Sequence, residues 1–275
     1  MLKNLFNANY DESARLVTRK QIKLNKESFK YMKLRHRIFL PFLVTFFVAP
    51  LFYMVGTQMP LGISDKENYF SEVMAEYGTA FSDTIKLILL IWIGISILFL
   101  IQSKNYGSYV IFAYFAFFPM ILAFCFIMFD LMFGVAVAGV GMVGSLIMVG
   151  AGLLYIFIAT YNVVNDMKLS LYGERRKRIS SRYYLLITCI ALILTVIVSL
   201  IFPAKEFNLL LYVIALGLLI VFAGIAFLAK MLLHMFCVLY YFAKYGEQYK
   251  EKFSITDEQW YGPRKAKRLA KKKGK

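Results

Sequence analysis

Apolar residues in this chain fall in long unbroken runs instead of alternating or striped patterns. Six runs stand out, at roughly 38–56, 85–101, 109–129, 134–161, 184–202 and 209–229. Each meets or approaches the ~20 residues that a helix rising 1.5 Å per residue needs to cross a hydrocarbon layer of about 30 Å. Continuous runs of this kind are helices, because barrel strands alternate between apolar and polar positions. The expected fold class is therefore an all-α polytopic integral membrane protein with six transmembrane helices. Pro41 and Pro50 in the first run and Pro119 in the third are expected to bend their helices without ending them.

Polar positions give the layout its direction. Residues 1–37 carry ten Lys/Arg, the loop around Arg175, Arg176, Lys177 and Arg178 is basic, and residues 230–275 carry twelve more. The segment 58–84 instead carries Asp65, Glu67, Glu72, Glu76 and Asp83 against Lys66 alone. Lys and Arg gather on the cytoplasmic side of membrane proteins, so both termini and the loop 162–183 are expected inside and the acidic loop 58–84 outside. Three regions follow: a basic segment 1–37, of which 11–33 reads as an interfacial helix; a six-helix domain 38–229; and a cytoplasmic or interfacial helix with a basic tail, 230–275. Because 209–243 stays apolar for 35 residues apart from Lys230 and His234, a span ending near 229 is expected, followed by a stretch lying at the interface or packed on a partner.

Composition agrees with lipid as the solvent. The chain is 60% hydrophobic and only 17% charged, against about 45–50% and about 25% in soluble domains. The apolar runs carry almost none of its net charge of +16, so no nucleic-acid partner is expected; the basic residues Arg175, Arg176, Lys177, Arg178 and Lys230 are expected against the anionic lipids of the inner leaflet. No cleavable signal peptide precedes the first run, and the Lys-rich, disulfide-free character suits a bacterial inner membrane. Cys125, Cys189 and Cys237 all sit in apolar runs and read as packing residues.

Candidate chemistry is sparse. Gly139-Val140-Gly141-Met142-Val143-Gly144 is a literal GxGxxG, but the dinucleotide fingerprint needs a strand before it and a helix beginning at it. Inside an apolar helix the same residues read as packing: Gly134, Ala138, Gly141, Ser145 and Gly152 fall close to one line along a helix and form a small-residue stripe for a neighbouring helix. Lys86 and Asp130 fall at the outer ends of spans two and three as a candidate interface pair. No HExxH, GxSxG or P-loop occurs, so no catalytic residue, metal or cofactor is assigned. The spans offer only Ser96, Ser145, Thr188, Thr195 and Ser199 as interior polar groups. A non-enzymatic subunit of a larger membrane assembly (secretion, conjugation or envelope machinery), in contact with other subunits or copies of itself, is the expected role. A transporter or channel for a hydrophobic or lipid-like solute is the alternative, with a membrane enzyme third.

Overall fold

The structure, a computed structural model, describes all residues except 1–3, 23–33, 63–67, 102–105, 175–176, 203, 205–208 and 274–275. Helices are the regular structure of the described residues, with no strand among them. Two short helices, α1 (Tyr10–Ser13) and α2 (Arg19–Ile22), precede a long α3 that starts as Leu34–Leu43 and ends as Met59–Gly62. Then come α4 (Tyr69–Tyr77), α5 (Ser82–Ile101), α6 (Tyr106–Tyr172), α7 (Arg182–Ile201), α8 (Leu209–Ala215), α9 (Gly217–Lys244), α10 (Gly246–Lys252), α11 (Asp257–Tyr261) and α12 (Pro263–Lys273). Four helical stretches are long and apolar enough to cross a membrane: Pro41–Gly62, Tyr109–Tyr172, Arg182–Ile201 and Leu209–Lys244. A fifth is added if α4 and α5, bent by 49°, count as one broken span.

Helix α3 carries Pro41 inside its first α-helical part and passes Pro50 and Pro60 by way of π turns, at Val44–Val48 and Met54–Gln58. A proline leaves the carbonyl four residues back without its N–H. Those carbonyls are Phe46 for Pro50 and Gly56 for Pro60, and both lie inside the π turns, where i→i+5 bonding steps past the missing donor.

The 67 residues of α6 are two arms, not one rod. At Gly141 the backbone leaves the helical region for φ 77, ψ 169, a conformation close to glycine-only. Phe222 of α9 shows that the chain reverses there. Its ring lies 5.7 Å from that of Phe129, yet it also fills the space where a side chain at position 152 would stand. In a straight helix residues 129 and 152 would be about 34 Å apart. The break frees backbone carbonyls inside an apolar bundle, where they must be paired. Ser145 Oγ donates to Gly141 O at 2.8 Å and Ser199 Oγ to Val140 O at 3.2 Å. Two of the five interior hydroxyls thus serve the turn.

This turn corrects the expected layout. Spans three and four were expected to part between 129 and 134, around the charge of Asp130; the chain instead continues helically past Asp130 and turns at Gly141. The expected stripe is undone by the same break. Gly134 and Ala138 belong to the first arm, Ser145 and Gly152 to the second, and Gly141 is the turn. A Cβ at Gly134 would meet Met74 and Gly78, and one at Gly152 would meet Phe222, whereas Gly141 has only the Phe202 carbonyl oxygen nearby. The glycines serve different neighbours, not one helix face.

Packing centres on α6. Its arms, α8 and α9 enclose a core of Ala136, Val140, Met148, Ala151, Tyr155, Leu218 and Phe222. Helices α3 and α5 pack on the first arm through Val44, Ile85, Leu89, Trp92, Ala123 and Ile127. The outward faces are apolar: Leu200 is 79% exposed, Ile220 75% and Leu185 71%. In water such a surface would aggregate; in lipid it costs nothing.

Candidate functional site

Three stretches are longer than a bilayer needs: the two arms of α6 and the run 209–244, interrupted only at Leu216. The last, at 36 residues, is about 54 Å long. Its C-terminal half continues into a second, aromatic core with the end of α6 and both ends of the chain. Leu5, Ala8, Leu16, Val17 and Ile22 are buried there against Val163, Met167, Leu171, Tyr241, Phe242, Tyr249, Phe253 and Trp260.

Tyrosines hold the N-terminal segment by its backbone. Tyr241 Oη accepts the Ala8 N–H at 3.1 Å and donates to Leu5 O at 2.6 Å. Tyr245 Oη donates to Ala8 O at 2.8 Å and Tyr172 Oη to Asn4 O at 2.8 Å. Further along, Ser13 Oγ and Tyr249 Oη are 2.7 Å apart, Lys252 donates to Ala14 O at 2.8 Å, and Tyr114 Oη donates to Gln21 O at 3.1 Å. Tyr114, Tyr172, Tyr241 and Tyr245 spend their hydroxyls on backbone carbonyls, and Tyr249 spends its own on the Ser13 hydroxyl. Burial pushes the Tyr249 phenol up to about 12. Asn9 and Glu12 form a reciprocal capping box at the start of α1, and Gln21 meets His234 at 3.1 Å. Helix α12 carries Arg264, Lys265, Lys267, Arg268, Lys271 and Lys272 on exposed positions beyond this core.

At the same end a cavity of 480 Å³ opens between the second arm of α6, the start of α7 and the middle of α9. Arg178, Lys230, Asn162, Ser180 and Ser181 supply its polar groups, while Ala159, Tyr184, Ala223, Ala226 and Phe227 form the apolar wall. Asn162 fixes the loop: its amide donates to Ile179 O at 3.0 Å and accepts from Ile179 N at 2.9 Å. Arg178 pairs with Asp166 at 3.2 Å, both side chains remaining open to solvent. The structure therefore brings two of the five expected basic residues, Arg178 and Lys230, to one opening. Lys177 is exposed outside it, and Arg175 and Arg176 lie outside the described residues.

The opposite end holds the acidic helix α4, packed on Gly134 through Met74 and Gly78. The expected pair of Lys86 and Asp130 does not form. Lys86 Nζ donates to Asp83 Oδ1 at 2.8 Å, one turn away on its own helix and in the open. Asp130 is fully buried; its Oδ2 accepts the Phe81 N–H at 2.9 Å, at the entry to α5. Its Oδ1 has no hydrogen-bond partner among the described residues. Sequence reasoning put this carboxyl in water because it placed the end of a span there. The uninterrupted apolar residues on both sides of Asp130 were the available signal against that.

No family model matches the chain, and no curated protein or solved structure matches it.

Proposed function

We propose that this chain is a non-enzymatic multi-pass subunit of a larger membrane assembly, of the kind that secretion, conjugation or envelope machinery uses. In this reading α3, α5, the two arms of α6, α7 and the run 209–229 make six crossings, with both termini in the cytoplasm. One observation carries it: residues 5–22 and 233–260 share a buried core with the end of α6, while the acidic α4 packs at the other end of the first arm. An even number of crossings returns the chain to the side on which it began, and lysine and arginine gather on that side. The long helices spend their excess length on an ordered cytoplasmic layer, and α12 offers six exposed cations beyond it. An ordered, charged layer of this kind suits docking to partner subunits. The Lys-rich end suits the anionic inner leaflet of a bacterial cytoplasmic membrane.

The test is purification from native membranes in mild detergent, with and without glutamine at Arg264, Lys265, Lys267 and Arg268. Stable stoichiometric partners, lost from the glutamine variant while its own folding is unchanged, are expected. Recovery of the parent as an isolated monomer that moves a lipid-like solute across liposomes would favour the transporter reading, for which the 480 Å³ cavity is the supporting feature.

A further inference from the structure

We propose that the cavity between α6, α7 and α9 is a binding site for an anionic phospholipid, with the headgroup phosphate between Arg178 and Lys230 and an acyl chain along Phe227. Its volume of 480 Å³ falls within the usual range of ligand pockets, about 300–1,000 Å³. The lining is amphiphilic in the sense a lipid requires. Arg178, Lys230, Ser180 and Ser181 stand at the basic end, whereas Ala223, Ala226 and Phe227 lead away along α9 into the apolar span. No acidic residue lines it among the described residues. Asp166 lies behind Arg178 and takes one of its amino groups, which orients the guanidinium and leaves its other N–H donors free for phosphate oxygens. The double clamp from Asn162 holds the loop that carries Arg178, so the anion site is largely preformed. Phe227 is 67% exposed and offers its ring to a chain lying in the groove. The site is independent of the subunit role, and either can fail without the other.

The experiment uses the full-length Phe227→Trp protein in phosphatidylcholine vesicles holding a small fraction of lipid brominated on its acyl chain. Quenching of the new tryptophan is read against the same protein with Phe227 intact, which corrects for Trp92 and Trp260. Brominated phosphatidylglycerol is expected to quench several-fold more effectively than brominated phosphatidylcholine. Each basic residue near the surface changes the association of an acidic lipid by roughly fivefold. Arg178→Gln with Lys230→Gln should therefore bring the preference close to one, and Arg178→Lys with Lys230→Arg should keep it. Lys271→Gln with Lys272→Gln removes the same charge from the tail and should leave the preference intact. The proposal is overturned if the two brominated lipids quench alike, if the Arg178/Lys230 glutamine pair keeps the preference, or if the tail pair abolishes it. Displacement by millimolar inorganic phosphate would overturn the lipid assignment in favour of a free-anion site.

Discussion

Two glycines about three turns beyond the Gly141 reversal should respond to alanine with opposite signs. A Cβ at Gly152 would lie 2.0 Å from Phe222 Cγ and 2.2 and 2.4 Å from its two Cδ atoms. The ring has nowhere to go: it is 3% exposed and its far side meets Phe129 edge-on at 79°. Overpacking of this kind costs typically 1–3 kcal/mol, and the gain in helix propensity from replacing glycine, about 1 kcal/mol, offsets only part of it. Gly150, two residues earlier and facing outward, has nothing within 4 Å of the same atom, so its alanine variant should keep the whole propensity gain. The expected results are a net loss of up to about 2 kcal/mol for Gly152→Ala and a gain of about 0.5–1 kcal/mol for Gly150→Ala. Both are measured by the fraction of folded protein left on size exclusion after heating in detergent. Adding Phe222→Leu to Gly152→Ala should cost less than the sum of the two single changes, with a coupling of roughly 0.5–3 kcal/mol. Equal stability of the two alanine variants, or strict additivity in the double, would refute the assignment of Phe222 to the gap between the arms.

The Gly141 turn should fail for a different reason. Space at that position is open, but a Cβ is incompatible with φ 77, ψ 169; Gly141→Ala should cost on the order of 1–3 kcal/mol, with the exposed Val143→Ala nearby as the tolerant control in the same heating assay. At high pH the aromatic layer at the basic end should loosen first. The Tyr249 phenol ionises near 10 when unfolded and at about 12 in place, so its contribution is intact below about pH 10 and is lost as the pH rises to 12. Tyr249→Phe should flatten that loss in a tyrosinate titration followed by circular dichroism. Topology is read by labelling single cysteines from outside intact cells, in a background free of native cysteines: a reporter replacing Glu72 should label and one replacing Lys177 should not, and equal labelling would remove the six-crossing layout.

How much of this was legible in the residues depended on which physical rule was local. Hydrophobic runs gave the helical membrane class, because the need to pair every backbone group in lipid is the same for any run of sufficient length. Loop charge gave two ends of opposite character, and the structure has them, with Glu72 and Glu76 on α4 at one end and Arg178 and Lys230 at the other. The turn between the α6 arms was misplaced because a charge was taken as stronger punctuation than a glycine. Asp130 can stay in a helix interior when an N–H from a neighbouring element meets it, whereas the torsions at Gly141 admit little else than glycine. Small residues at helical spacing also read as one face only while the helix is unbroken, so one wrong turn placed five residues on a line that does not exist. Lys86 was paired with the wrong acid for a related reason: Asp83, three residues back on the same helix, meets it without any tertiary geometry.

The aromatic core at the basic end follows from the tyrosines more than from the lysines that announced that end. Tyrosine is favoured where one part of a side chain is apolar and the other wet, and such residues are ordinarily expected as a belt around each span. Here Tyr172, Tyr241, Tyr245 and Tyr249 turn inward, and their hydroxyls find carbonyls of residues 4–13 and a serine instead of lipid headgroups. That requires a segment of backbone without its own regular hydrogen bonds, which the stretch before α1 supplies, and helices long enough to carry the tyrosines past the hydrocarbon edge, which α6 and α9 supply. The C-terminal half of the 35-residue apolar stretch is apolar in part because it walls a second core, built with the chain's own beginning.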